Sequence, residues 1–358
     1  MREQKRKGMM MKHPFFMADG HVHFDHGSDL PFLKDYLSLG FRNLNLVALP
    51  GTDGYAQTQN MVGALLKLEC PSLFCSAALA YEKFPVRAPL SPEYAFEKQA
   101  EELAQIGFDG MKMLEGKPGT RKSCGISPAD ELYEAYFDYL ERNRIHIVWH
   151  VNDPEEFWTD RAPAFAKESH WTYEDGTYLT YQQHYDEVYE VLDRHPMLNA
   201  TFAHFFFHSE HPDETVRLFE KYPGIGFDIT PGREMYGNFS RNPAVWKQIF
   251  TKYADRICFG SDMDTSEFQG NGRDVTGTVW RFLTTEDHFR FWDLDIVGLG
   301  LDDRTCDLIG GETFYHRIGR RDPKPIDCKK LAAYIDRWLP LVTNPQDREY
   351  ISSRRKML

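Results

Sequence analysis

The sequence predicts an α/β fold of the (β/α)₈-barrel class. Three observations predict it. Eight short runs rich in Val, Ile, Leu and Phe recur along the 358 residues. Amphipathic segments separate most of them. The runs lack the polar alternation of a half-solvated sheet, as parallel strands buried on both faces should. The rival architecture, an open doubly wound sheet, lacks its main signal, since no GxGxxG follows the first run.

Taken in order, the expected strands cover residues 15–23, 44–49, 74–80, 110–114, 145–151, 199–205, 224–229 and 256–261. Between the third and fourth, "YAFEKQAEELAQIG" sets Phe96, Ala100, Leu103 and Ile106 at helical spacing. Before the fifth, "SPADELYEAYFDYLERN" predicts a helix with Ser127 as N-cap and Pro128 at its first position. "SEHPDETVRLFEKYPG" predicts a similar helix before the seventh. Two insertions interrupt the pattern, after strands five (153–185) and eight (265–279). The first is crowded with aromatic residues, among them Phe157, Trp158, Phe165, Trp171 and Tyr173. Barrel active sites lie on the loops after the strands, so both insertions are expected to wall or cover a pocket.

Residues 1–14 read as a basic tail without the apolar stretch of a signal peptide, and 15–358 as one barrel domain. The net charge of −12 excludes the basic face of a nucleic-acid binder. No apolar run approaches the ~18–20 residues needed to span a membrane. Six cysteines, none in a CxxC pair, point to reduced thiols and a cytoplasmic protein. A homodimer is the default expectation for oligomeric state.

Polar residues stand at the carboxyl ends of the predicted strands. His21 and His23 end the first, and a period of two turns both imidazoles to one side. Lys112 lies in the fourth, His150 ends the fifth, His204 the sixth, and Asp262 follows the eighth. Each is costly to bury alone. Gathered at one barrel mouth, neutral imidazoles and a carboxylate suit a divalent cation such as Zn²⁺. His146 begins strand five and reads as structural. His26 and His208, just past strands one and six, read equally as pocket-lining or solvated loop residues.

"DGHVHF", "HIVWHVNDPEEFW", "TFAHFFFHSE" and "ICFGSD" resemble the metal-binding signatures of the amidohydrolase superfamily. The similarity is to its amidohydrolase 2 branch, which holds aminocarboxymuconate-semialdehyde decarboxylase-like enzymes and several lactonases. It extends over nearly the whole chain. The closing "LDDRTCDLIGGETFYHRIG" is similar too, with Glu312 where Asn is usual.

The resemblance implies that His21, His23 and His150 are metal ligands, and that Asp262 is both ligand and base. His204 would be a further ligand or a donor that polarises the substrate. Asp19 would orient a ligand imidazole. The implied reaction is attack of metal-activated water on the carbonyl carbon of a small amide, lactone or ester. Asp262 would carry the proton. The alternative is non-oxidative decarboxylation of an unsaturated or aromatic acid; a non-catalytic binding barrel comes third. In two-metal members of the superfamily a lysine at this place is carbamylated and bridges the ions. Here one ion is favoured, with Lys112 unmodified and gripping a substrate carboxylate; two ions require its carbamate. Arg233, Trp158 and His208 complete the expected substrate contacts. Asp228 is expected to face the pocket or bond to a neighbouring loop.

Overall fold

The computed structural model describes residues 18–81, 89, 91–232, 234–265, 272–291 and 294–358. Eight strands form one parallel sheet in sequential order: β1 (Ala18–Val22), β2 (Asn43–Val47), β3 (Leu73–Ala78), β4 (Gly110–Gly116), β5 (His146–Val151), β6 (Ala200–Phe202), β7 (Gly226–Asp228) and β8 (Ile257–Cys258). The sheet closes on itself. Gly20 N donates to Phe259 O, Asp262 N to His21 O and His23 N to Met263 O, at 3.0, 3.0 and 2.8 Å. Every residue of β1, β2, β3 and β5 is buried. That burial is why these strands read as nearly unbroken apolar runs.

Helices clothe the barrel. Phe96–Ile106 buries Phe96, Ala100, Leu103 and Ile106, the residues whose spacing marks the helix in the sequence. Pro212–Lys221 occupies the segment expected before β7. The helix expected to start at Ser127 starts later. Ser127 Oγ accepts from Ala129 N in a tight turn, and Asp130 Oδ1 accepts from Leu132 N at 3.0 Å. Asp130 thereby caps a short turn, Glu131–Tyr133, that runs into the helix Glu134–Arg142. Both residues are good caps; only the packed chain selects between them.

Strands six and eight are shorter than expected: after β6 the backbone turns left-handed, and after β8 Phe259 N leaves the ladder for Ile309 O at 2.8 Å. His204, Phe205, Phe206 and Phe207 all have φ between 53 and 56°, and Asp262 has φ 59°. The insertion after β5 contains a turn, Glu155–Trp158, and a helix, Ala164–Glu168, around buried Phe157, Ala166 and Tyr173. It ends earlier than expected, because Tyr181 already begins the helix Tyr181–Arg194, capped by Thr180. Of the second insertion, residues 266–271 lie outside the described residues; a helix, Gly272–Thr284, follows. The tail 1–14 and the start of the first expected strand, 15–17, also lie outside them. An antiparallel hairpin, β9 (His288–Phe291) with β10 (Leu294–Val297), was not anticipated. Among the described residues no helix is long and apolar enough to cross a membrane.

Candidate metal centre

Barrel closure carries Asp262 across to β1. Its backbone N is fixed to His21 O, and its left-handed φ turns the carboxylate toward the β1 histidines. Such a conformation costs of order 1–2 kcal/mol in a non-glycine residue and persists only where its surroundings hold it. Gly260 makes the approach feasible. A Cβ there would overlap Thr230 Oγ1 and crowd His21 Cβ at 3.1 Å.

The result is a tight cluster. Asp262 Oδ1 lies 3.0 Å from His23 Nε2 and 3.3 Å from His21 Nε2. One ligand atom from each of these three residues lies within 4.8 Å of the others. His204 Nε2 stands 4.0 Å from Asp262 Oδ2. His150 stacks edge-on to His204, with ring centroids 4.8 Å apart. Its Nε2, however, turns to Asn152 O at 3.0 Å and Asp153 Oδ1 at 3.4 Å.

Neighbours select the tautomers. His21 Nδ1 donates to Asp228 Oδ2 at 3.0 Å, so its Nε2 carries a lone pair. Burial, with help from the charge of Lys112, lowers its pKa to about 4, which keeps the ring neutral. His204 Nδ1 donates to Thr230 O at 3.3 Å, again leaving a lone pair on Nε2. Asp228 also accepts from His204 N and Thr230 N, at 2.9 and 3.1 Å. One buried carboxylate thus orients a β1 imidazole and pins the turn after β6. Burial works against ionisation of Asp262, but the His23 hydrogen bond and the surrounding imidazoles more than offset it and hold the carboxyl well below its usual range.

Two imidazoles and a carboxylate, with lone pairs converging, fit a divalent ion of the zinc or manganese type. The anchoring of His21 Nδ1 by Asp228 is the outer-shell arrangement that metal-binding histidines favour.

Lys112 Nζ lies 2.9 Å from His21 Nε2. Burial lowers its pKa to about 8. Asp19 does not touch a ligand imidazole. It accepts from His21 N, Ser261 N and Tyr36 OH, at 3.0, 3.2 and 2.7 Å, and so braces the β1–β8 seam. The orienting role expected of it falls to Asp228.

The cluster opens on a cavity of about 650 Å³. His23, His150, His204, Asp262, Lys112, Lys117, Asp153 and Glu234 supply its polar lining. Leu49, Leu114, Phe157, Phe165, Trp171 and Phe207 supply the apolar wall. Burial pushes the Glu234 carboxyl up to about 7. Lys117 Nζ donates to Asp153 Oδ1 at 2.6 Å, and Tyr173 OH donates to Asp153 Oδ2 at 2.5 Å. The insertion is thereby latched to the end of β5.

Trp158 lies in the layer behind this wall. Its Nε1 donates to Leu179 O at 2.9 Å, and its ring meets Tyr173 with centroids 4.6 Å apart. His208 is buried against Tyr185, at 4.7 Å between centroids, and is likewise away from the cavity. Arg233 lies outside the described residues. His26 binds Asp347, Nδ1 to Oδ2 at 3.0 Å. Lys117, Asp153 and Glu234 were not picked out as site residues from the sequence. Lys117 and Asp153 carry the signal that singled out the others: each lies within two residues of a strand's carboxyl end.

A parallel barrel that collects imidazoles and carboxylates at its strand ends is the architecture of the metal-dependent amidohydrolase-type barrels. The chain belongs to that family: the profile described as Amidohydrolase, of the amidohydrolase 2 group, matches residues 18–312. The family is divalent-metal dependent.

Solved structures with the same fold include a probable 2-pyrone-4,6-dicarboxylic acid hydrolase from Acinetobacter baumannii with citric acid bound. It is 11% identical with a TM-score of 0.53, covering 85% of this chain and 100% of that one. A dihydroxybenzoic acid decarboxylase from a Polaromonas species, with bound manganese and the inhibitor 2-nitroresorcinol, is 13% identical with a TM-score of 0.51, covering 85% and 96%. The 4-oxalomesaconate hydratase of Rhodopseudomonas palustris is also 13% identical with a TM-score of 0.51, covering 85% and 96%. No curated protein matches by sequence.

Proposed function

We propose that the chain is a metal-dependent hydrolase that adds water to the carbonyl carbon of a small amide, lactone or ester bearing a carboxylate. The observation that carries this reading is the convergence of His21, His23 and Asp262, with Asp228 fixing the first imidazole. A divalent ion held there would lower the pKa of water toward about 7 and polarise the carbonyl. His204, with its lone pair on Nε2, suits a ligand better than a neutral donor. His150 donates through Nε2, which leaves Nδ1 as its free base.

Asp262, ionised and touching two imidazoles, takes the proton of the attacking water and returns it to the leaving group. Lys112 grips the substrate carboxylate; a cation there supports one ion rather than a carbamate-bridged pair. Lys117 adds a second positive group on the cavity wall. The aromatic wall takes the apolar part of the substrate, and the latched insertion limits access of bulk water.

One observation favours a second reaction on the same residues. Phe157, Phe165, Trp171 and Phe207 beside two lysines suit a planar unsaturated or aromatic acid. In non-oxidative decarboxylation Asp262 would instead take a proton from water and pass it to the carbon that loses CO₂. Turnover in ¹⁸O-water separates the two. Hydrolysis places the label in a product carboxylate. Release of CO₂ with no label in the remaining product overturns it in favour of decarboxylation. The soluble chain is expected to act in the cytoplasm on a small molecule; dimerisation is checked by light scattering.

A further inference from the structure

In the outer helical layer, the helix Glu134–Arg142 presents Glu134, Asp138 and Glu141 at i, i+4 and i+7, which is a single face. That face meets His195, the residue closing the helix Tyr181–Arg194. His195 is only 2% exposed, and its Nε2 has no hydrogen-bond partner. Glu134 Oε1 stands 3.4 Å from Nε2; Asp138 Oδ1 and Glu141 Oε2 stand 3.7 and 3.8 Å from Nδ1.

The second carboxylate oxygens of Glu134 and Glu141 are already engaged. Arg194 donates to Glu134 Oε2 at 2.5 Å, and Met197 N donates to Glu141 Oε1 at 2.7 Å. The oxygens left over are the ones that face the imidazole. Three carboxylates against one guanidinium leave two negative charges around a buried imidazole whose Nε2 lacks a partner.

We propose that His195, Glu134 and Asp138 form a second divalent-cation site, separate from the barrel mouth. One ligand atom from each lies within 4.8 Å of the others. The donor set is one imidazole nitrogen and carboxylate oxygens, which takes a borderline dication such as Zn²⁺, Co²⁺ or Mn²⁺. A dication there balances the local charge and satisfies the imidazole. It also ties the helix after β4 to the helix before β6. The alternative is a cluster that holds no ion.

Metal counting decides between them. The full chain is dialysed against Co²⁺ and its bound equivalents are measured, beside Glu134→Gln/Asp138→Asn, which changes only half-exposed or exposed side chains. The wild type is expected to bind one equivalent more than the double variant. His23→Ala, at the barrel mouth, is expected to keep that equivalent. Added Co²⁺ should raise the Tm of His23→Ala, and not that of a triple variant carrying Glu134→Gln and Asp138→Asn as well. His195→Gln is read only if its circular dichroism matches the wild type, and then it too should lose one equivalent. Equal counts in the wild type and the double variant overturn the proposal.

Discussion

At the amino-terminal end of the barrel, His146 opens β5 and its Nε2 meets Thr201 Oγ1 at 2.8 Å. Thr201 Oγ1 accepts from Arg317 Nε at 2.7 Å, and Arg317 Nη2 donates to the carbonyls of Ala200 and Gly224 at 2.7 and 2.8 Å. At the carboxyl-terminal end of the same strand, His150 joins a cavity with Asp153, Lys117 and His204. Both ends bury histidines beside cations. The amino-terminal network directs its guanidinium, hydroxyl and His146 Nε2 hydrogen bonds into the barrel and its closing helix, with the buried His146 Nδ1 left unpartnered, and it acts as a plug. The carboxyl-terminal network leaves the Nε2 lone pair of His204 toward the cavity, while that of His21 meets Lys112 Nζ at 2.9 Å. Its backbone carries left-handed residues at Asn152, His204–Phe207 and Asp262, against Arg144 just before β5 at the other end. Buried polarity alone therefore does not mark a reactive site. Polarity gathered around an open cavity does.

The largest test of this contrast is Asp262→Asn. Turnover is expected to fall by about 10³-fold, the scale of losing a positioned proton carrier, while circular dichroism stays native. A fall of less than tenfold would sink the assignment of the rim as the reactive end.

Arg317→Met strikes the opposite end. It leaves Thr201, the buried carbonyl of Ala200 and the part-buried carbonyl of Gly224 without this donor, and a stability loss of about 3 kcal/mol is expected in denaturant titration. Metal content of the folded fraction should not change; if it does, the two ends are not separate. Asp228→Asn sharpens the rim itself. Removing the carboxylate behind His21 is expected to weaken metal binding by about 10- to 100-fold, read by chelator competition.

The smallest effect is a change of slope. Burial, assisted by the charge of Arg317, lowers the pKa of His146 from 6.5 to about 3. Between those values the unfolded chain binds a proton that the folded chain refuses. The stability contributed by neutral His146 is complete above about pH 6.5 and is lost as the pH falls toward 3. His146→Gln should flatten the decline of Tm over that window; an unchanged slope would mean that other groups set the acid limit.

Much of the rim was legible because its signals are local. His21 and His23 share a face by strand period. His204 and Asp262 could be placed by the end of an apolar run. The substrate contacts were harder. The aromatic density of the first insertion announced a wall, but the segment winds through short turns with no fixed period, so nothing indicated that Trp171 would face the cavity and Trp158 would not. Asp19 lies two residues before His21 and Asp228 far from it in sequence, and only the three-dimensional arrangement shows that the second holds the imidazole.

The order of elements, the barrel class and the kinds of side chain at its mouth were determined by the sequence alone, since periodicity and the cost of burying polar groups act residue by residue. Which of those side chains touch was decided by tertiary structure. Closing β8 onto β1 set the Asp262 carboxylate against His21 and His23, and the same closure brought Asp228 to His21 across 207 positions of chain. Contacts of that range follow from the curvature of the whole sheet, which no short stretch of sequence encodes.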